Sequence, residues 1–172
     1  GILISKNSDK CLDVAGADKN NGANVQQWDC HAGANQLWTL TDKGGGYYLI
    51  KANHSGRCLD VAGWGRSNGT NVIQYDCHGG DNQLWTPVSQ GGGYYLLKDK
   101  HSGMCLDVSG VSKDRGANVY QWQCHGGDNQ LWRLTDEQGP APHRCLSLIH
   151  ISEPTRLLNI SYAVFCSTYK QK

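Results

Sequence analysis

Apolar residues along this chain come in runs of four or five, and none continues at a helical period. Tyr47-Tyr48-Leu49-Ile50-Lys51 and Asn24-Val25-Gln26-Gln27-Trp28 are representative: apolar or alternating stretches bounded by Gly, Asn, Asp and Ser. Strands alternate faces at a period of two and end at residues that favour turns, so the pattern predicts many short strands and an all-β fold. No apolar run is long enough to cross a bilayer, so no membrane insertion is expected.

The pattern recurs at a period of 47 residues. Cys11-Leu12-Asp13-Val14 returns as Cys58-Leu59-Asp60-Val61 and Cys105-Leu106-Asp107-Val108. Trp28-Asp29-Cys30-His31 returns as Tyr75-Asp76-Cys77-His78 and Trp122-Gln123-Cys124-His125. Asn35-Gln36-Leu37-Trp38 returns as Asn82-Gln83-Leu84-Trp85 and Asn129-Gln130-Leu131-Trp132. A unit of this length is one supersecondary element, and three that close on each other make a domain. The expected domain is 1–139, in repeats 1–47, 48–94 and 95–139. Gly1-Ile2-Leu3-Ile4 is too short for a signal-peptide core. It aligns with Tyr48-Leu49-Ile50-Lys51 and Tyr95-Leu96-Leu97-Lys98, so the chain is expected to begin inside a strand.

Composition breaks near Gly139. Every Gly and Trp lies at or before it, whereas three of the four prolines and the only Phe follow it. Residues 1–139 hold 12 Lys+Arg and 14 Asp+Glu, a net −2, and residues 140–172 hold 4 and 1, a net +3. A slightly acidic body lacks the electrostatic footprint that phosphate backbones require, so nucleic acid is not an expected partner.

Six of the eight cysteines belong to the repeats, with a gap of 19 residues in each. Six cysteines allow 15 pairings, and threefold symmetry favours the local one: Cys11–Cys30, Cys58–Cys77 and Cys105–Cys124. Such bridges imply an oxidising compartment and a secreted protein. A zinc reading competes, but the short Cys/Cys and His/His clips of structural zinc are missing, so no metal or cofactor is expected. His31, His78 and His125 read as structural or surface residues.

Strand alternation puts Cys11 and Asp13 on one face and Leu12 and Val14 on the other. Gln26, Trp28 and Cys30 share a face likewise. If Cys11 and Cys30 oppose each other directly across two antiparallel strands, Asp13 faces Trp28, Asp60 faces Tyr75, and Asp107 faces Trp122. A carboxylate beside a ring suits a sugar: vicinal hydroxyls donate to the acid, and the C–H face of the ring lies on the aromatic. An Asn amide adds a donor and an acceptor. The adjacent Gln36, Gln83 and Gln130 serve either as ligand contacts or as supports that hold the acid in its rotamer. On this geometry Asp13 and Trp28 face the ligand and not the core, and replacing either should silence the site without unfolding the domain.

Plainer roles compete with each of these. Leu12, Val14, Leu37 and Trp38, with their repeats, are expected in the core, Trp38, Trp85 and Trp132 above all. Asp13 could be a turn acid. Trp64, aligned with Ala17 and Val111, is either a loop residue or an extra wall for the second site.

The set Cys-Leu-Asp-Val, Gln-x-Trp/Tyr-x-Cys and Asn-Gln-x-Trp, three times over, resembles the ricin B-type lectins. Their module also occurs as a family 13 carbohydrate-binding module attached to bacterial xylanases and other glycosidases. The resemblance covers residues 1 to about 138 and implies a β-trefoil, with six strands in a barrel and six as hairpin caps. It also implies sugar-binding residues. In the first repeat these are Asp13, Gln26, Trp28, Asn35 and Gln36. In the second they are Asp60, Tyr75, Asn82 and Gln83, with Ile73 in place of the leading Gln. In the third they are Asp107, Trp122, Asn129 and Gln130, with Tyr120 in that place. The sites therefore rank first, second, third.

The expected function is carbohydrate binding by a secreted, monomeric lectin module, for galactose-, N-acetylgalactosamine- or xylan-type glycans. Such a module is free-standing or ancillary to a glycoside hydrolase. A trefoil used only for protein interaction or inhibition is the alternative. An enzyme is disfavoured: glycoside hydrolysis needs two flanking carboxyl groups, each repeat has one recurrent acid, and Ala34 stands where Asp81 and Asp128 recur. Residues 144–172 resemble translated sequencing-adapter read-through, so 140–172 is expected to be foreign to the domain and unstructured.

Overall fold

The computed structural model describes residues 1–135. The expectations for the domain end and for the tail lie outside the described residues. Twelve short strands follow the predicted pattern: β1 (Ile2–Ser5), β2 (Cys11–Val14), β3 (Val25–Trp28), β4 (Trp38–Asp42), β5 (Tyr48–Ala52), β6 (Cys58–Val61), β7 (Val72–Tyr75), β8 (Trp85–Ser89), β9 (Tyr95–Asp99), β10 (Cys105–Val108), β11 (Val119–Trp122) and β12 (Trp132–Thr135).

Strands β1, β12, β9, β8, β5 and β4 pair antiparallel in that order. Gly1 and Trp38 close the ring by exchanging backbone hydrogen bonds at 2.8 and 2.9 Å. A closed barrel has no open edge to manage. The other six strands form three hairpins, β2–β3, β6–β7 and β10–β11. Bridges Asn24↔Ile73, Asn71↔Tyr120 and Gln26↔Asn118 join these hairpins around a threefold axis. Asn24, Asn71 and Asn118 donate side-chain amides head to tail around that axis at 2.8–2.9 Å. This is the β-trefoil that the family resemblance implied.

The core repeats with the sequence. Trp38, Trp85 and Trp132 are fully buried, and each indole donates to the carbonyl of Leu12, Leu59 or Leu106 at 3.0–3.1 Å. A buried indole N–H needs such a partner. Leu12, Val14 and Val25, with their repeats, complete one apolar cluster. Leu84 and Leu131 are buried, but Leu37 is only partly covered, against Ile2, Ile4 and Cys11. Between β4 and β5 the chain turns through Gly44, Gly45 and Gly46, all at positive φ (88°, 64° and 84°), a run that side chains would strain.

Cys11–Cys30, Cys58–Cys77 and Cys105–Cys124 are disulfides, each with Cα atoms 5.1 Å apart. The expected register is wrong. Cys11 pairs with Trp28 and Asp13 with Gln26; Cys58 pairs with Tyr75 and Asp60 with Ile73; Cys105 pairs with Trp122 and Asp107 with Tyr120. Each ladder ends at the aromatic residue, two positions before the second cysteine. Each disulfide therefore clips a strand to the segment beyond its neighbour's end, not to a facing rung.

Candidate functional site

Each acid ends up beside its aromatic residue, but diagonally. In the first repeat Gln26 stands opposite Asp13, and its Nε2 donates to Asp13 Oδ1 at 3.1 Å. Trp28 lies two positions further along the same strand face, within reach of a diagonal contact. Asp13, Gln26, Trp28, His31 and Asn35 line one cavity of about 540 Å³, floored by Ala15, Gly16 and Ala17. Asp60, Ile73, Tyr75, His78 and Asn82 line a second of about 360 Å³, together with Gly63 and Trp64.

The acids are held hard. Gln36 Nε2 donates to Asp13 Oδ2 at 2.8 Å and to the Asp29 carbonyl at 2.9 Å, while its Oε1 accepts the His31 N–H at 2.9 Å. Asn35 Nδ2 donates to Asp13 Oδ2 at 3.3 Å and to the Val14 carbonyl at 3.1 Å. Gln83 and Gln130 repeat the clamp on Asp60 and Asp107 at 2.8 Å. Gln36, Gln83 and Gln130 are fully buried, Gln36 and Gln83 do not line the two cavities, and each of the three bonds its acid as a support.

Asp13, 2% exposed, accepts hydrogen bonds from three side chains. The expectation that it faces only the ligand is therefore corrected: the acid also holds the domain together. Burial raises the carboxyl groups of Asp60 and Asp107 above the usual carboxylate range, against the lowering effects of Gln83 and His78 on one and Gln130 and His125 on the other.

The three candidate sites are not equivalent. Neither Ile73 nor Tyr120 can make the Gln26 bond, so Asp60 and Asp107 each lack one donor that Asp13 has. In the second site Asn82 Nδ2 donates to the Val61 carbonyl at 3.1 Å, and its Oδ1 is buried without a partner. In the third, Tyr120 stacks on Trp122, with centroids 5.5 Å apart and planes at 25°. In the first, the Arg115 guanidinium of the third repeat sits 5.3 Å from the Trp28 ring centre. Tyr75 and Trp122 are 42% and 37% exposed, so their rings face solvent.

Two sets of residues escaped the sequence reading. His31 and His78 line the cavities. Each recurrent histidine accepts a backbone N–H at Nδ1, from Gly33, Gly80 or Gly127 at 2.9 Å. This assigns the proton to Nε2, which lies 3.6–3.7 Å from the acid. Their recurrence two residues before a recurrent glycine was the available signal. Gln27, Gln74 and Gln121 also recur without exception. Each donates to two carbonyls of a neighbouring repeat at 2.8–3.0 Å: Gln27 to Ser112 and Asp114, Gln74 to Asp18 and Asn20, Gln121 to Gly65 and Ser67.

Comparison with known proteins agrees with this architecture. The ricin-type beta-trefoil lectin domain profile matches residues 46–158, and a ricin-type beta-trefoil lectin domain-like profile matches residues 2–75. The designed threefold-symmetric protein ThreeFoil is 51% identical, with a TM-score of 0.78, over 78% of this chain and 96% of its own. The exo-beta-1,3-galactanase 1,3Gal43A from Clostridium thermocellum is 40% identical, with a TM-score of 0.76, over 78% of this chain. The hemolytic lectin CEL-III is 33% identical, with a TM-score of 0.67, also over 78%. The chain spans only 29% of the galactanase and 29% of CEL-III. With three closed repeats and a family profile that covers more than half its length, the chain belongs to the ricin-type β-trefoil lectin domain family.

Proposed function

We propose that this chain is a non-catalytic carbohydrate-binding module with up to three sites. The first is centred on Asp13, Gln26, Trp28 and Asn35, the second on Asp60, Ile73, Tyr75 and Asn82, and the third on Asp107, Tyr120, Trp122 and Asn129. The observation that carries this reading is a buried carboxylate, clamped by the buried Gln of its own repeat, that opens onto a cavity walled by an aromatic ring. The clamp orients the acid in advance, which lowers the ordering cost of binding. The sugar's hydroxyls reach the acid and the Asn, and its C–H face lies on the ring.

Each of the two cavities is lined by a single carboxylate, Asp13 or Asp60. Glycosidases need two around one bond, which favours binding over hydrolysis. The likeness to a galactanase of which the chain spans 29% supports a role as an ancillary module of a glycoside hydrolase. Three disulfides fit an oxidising, extracellular setting. The ligand class is galactose-, N-acetylgalactosamine- or xylan-type glycan, bound weakly at each site. Clustered glycans bind with an avidity greater by roughly 10²–10⁴-fold where geometry lets the sites engage together.

Calorimetry and affinity electrophoresis against galactosides and xylan test the proposal. The parent chain should bind, and the triple variant Trp28→Ala, Tyr75→Ala, Trp122→Ala should not. A triple variant that binds as the parent does would place the sites elsewhere.

A further inference from the structure

The threefold symmetry fails most visibly at Trp64. Its counterparts, Ala17 and Val111, carry small or aliphatic side chains at the same left-handed backbone (φ 52° and 53°, against 57° for Trp64). The backbone is thus common to the repeats, and the indole is particular to the second. It lies nearly parallel to His78, with centroids 5.8 Å apart and planes at 9°, and meets His101 of the third repeat edge-on at 5.1 Å. The approach requires glycine at position 80, where a Cβ would come within 2.4 Å of the indole. Held on two sides, Trp64 is still 46% exposed and lines the same cavity as Asp60, Tyr75 and Asn82. It also covers part of the recurrent histidine: the His78 side chain is 39% exposed, against 46% for His31 and for His125.

The geometry points to Trp64 as a specificity-determining residue that makes the second site a slot for two adjoining sugar rings. One ring is held by Asp60 and the unpartnered Oδ1 of Asn82, against Tyr75. The next ring of the same glycan rests on the exposed indole of Trp64. The inference rests on the carbohydrate-binding reading above and adds a chain-length preference to one site. The first site, with Ala17 at the matching place, accepts a single terminal sugar in a wider cavity. An aromatic surface positioned in advance adds contact area at little ordering cost, so the gain from the second ring is roughly five- to tenfold in affinity.

The test uses the full chain with Trp28→Ala and Trp122→Ala, which isolates the second site. Calorimetry compares methyl galactoside with galactobiose, and xylose with xylotriose. The longer member of the bound pair should bind roughly five- to tenfold more tightly. Trp64→Leu, which keeps apolar packing but loses the flat face, should erase that ratio, and Trp64→Phe should retain most of it. In a chain whose second and third sites are silenced instead, Ala17→Trp should create the ratio at the first. A ratio that survives Trp64→Leu, or a loss of equal size for both sugars, overturns the inference and leaves the sugar sites standing. Failure of the parent chain to bind any of these sugars overturns both.

Discussion

Gln36 donates to Asp13 at 2.8 Å, and the same bond at the same length joins Gln83 to Asp60 and Gln130 to Asp107. The acid proposed to meet the ligand is therefore also the acceptor around which the loop after the hairpin is ordered. The proposed binding and the fold thus depend on one carboxylate in each repeat.

Asp13→Ala is accordingly expected to lower stability as well as to silence the first site. It leaves the buried amides of Gln36 and Asn35 short of an acceptor. A buried group without its partner costs about 1–3 kcal/mol. Urea unfolding should show the midpoint falling at constant slope. An unchanged midpoint would mean that the clamp reorganises freely.

Tyr75→Ala separates the two roles. The ring is 42% exposed and outside the core, so the stability change should stay within about 0.5–1 kcal/mol. Calorimetric stoichiometry should fall by one site, with the remaining affinity unchanged. A large loss of stability would make Tyr75 a packing residue.

Asp99 gives the domain a pH dependence. The side chain is 1% exposed and its Oδ2 has no partner. Burial pushes its carboxyl up to about 7, against hydrogen bonds from Ser102 and His101, and the charge of Asp60 adds to the rise. The folded state thus holds a proton that the unfolded chain releases from about pH 4 upward. Stability falls as pH rises from about 4 to about 7 and then levels, with an upper limit of about 4 kcal/mol from this group. Asp99→Ala should flatten that slope. Ala52 fills the equivalent place in the second repeat, and the same backbone turn bond, 2.8 Å, forms there. Urea unfolding at pH 5 and pH 8 measures the difference; equal slopes in parent and variant would refute it.

Replacing both Cys58 and Cys77 with serine should lower stability by about 3 kcal/mol, the chain-entropy value for a loop of this size. The second site should weaken too, because the clip holds the segment that carries His78. Thermal unfolding of the oxidised parent and the double variant gives the comparison. Equal melting temperatures would show the clip to be dispensable.

Much of this protein is local in the sequence and could be read there. The strands, the buried Trp38, Trp85 and Trp132, the within-repeat disulfides and the gathering of Asp13, Trp28 and Asn35 around one cavity follow from alternation, turn residues and the 47-residue period. These are one-dimensional signals, and triplication tells a required residue from an incidental one.

Only the tertiary structure decided how the pieces register and what meets across repeats. The disulfide alone suggested that Asp13 faces Trp28, but β3 ends at Trp28 and Cys30 reaches back from beyond it, so Asp13 faces Gln26. Gln27 binds carbonyls 85 and 87 residues away, and Trp64 meets His101 from the next repeat. Such contacts depend on how three units close around an axis. Their partners are far apart along the chain, and no local spacing encodes the distance between them.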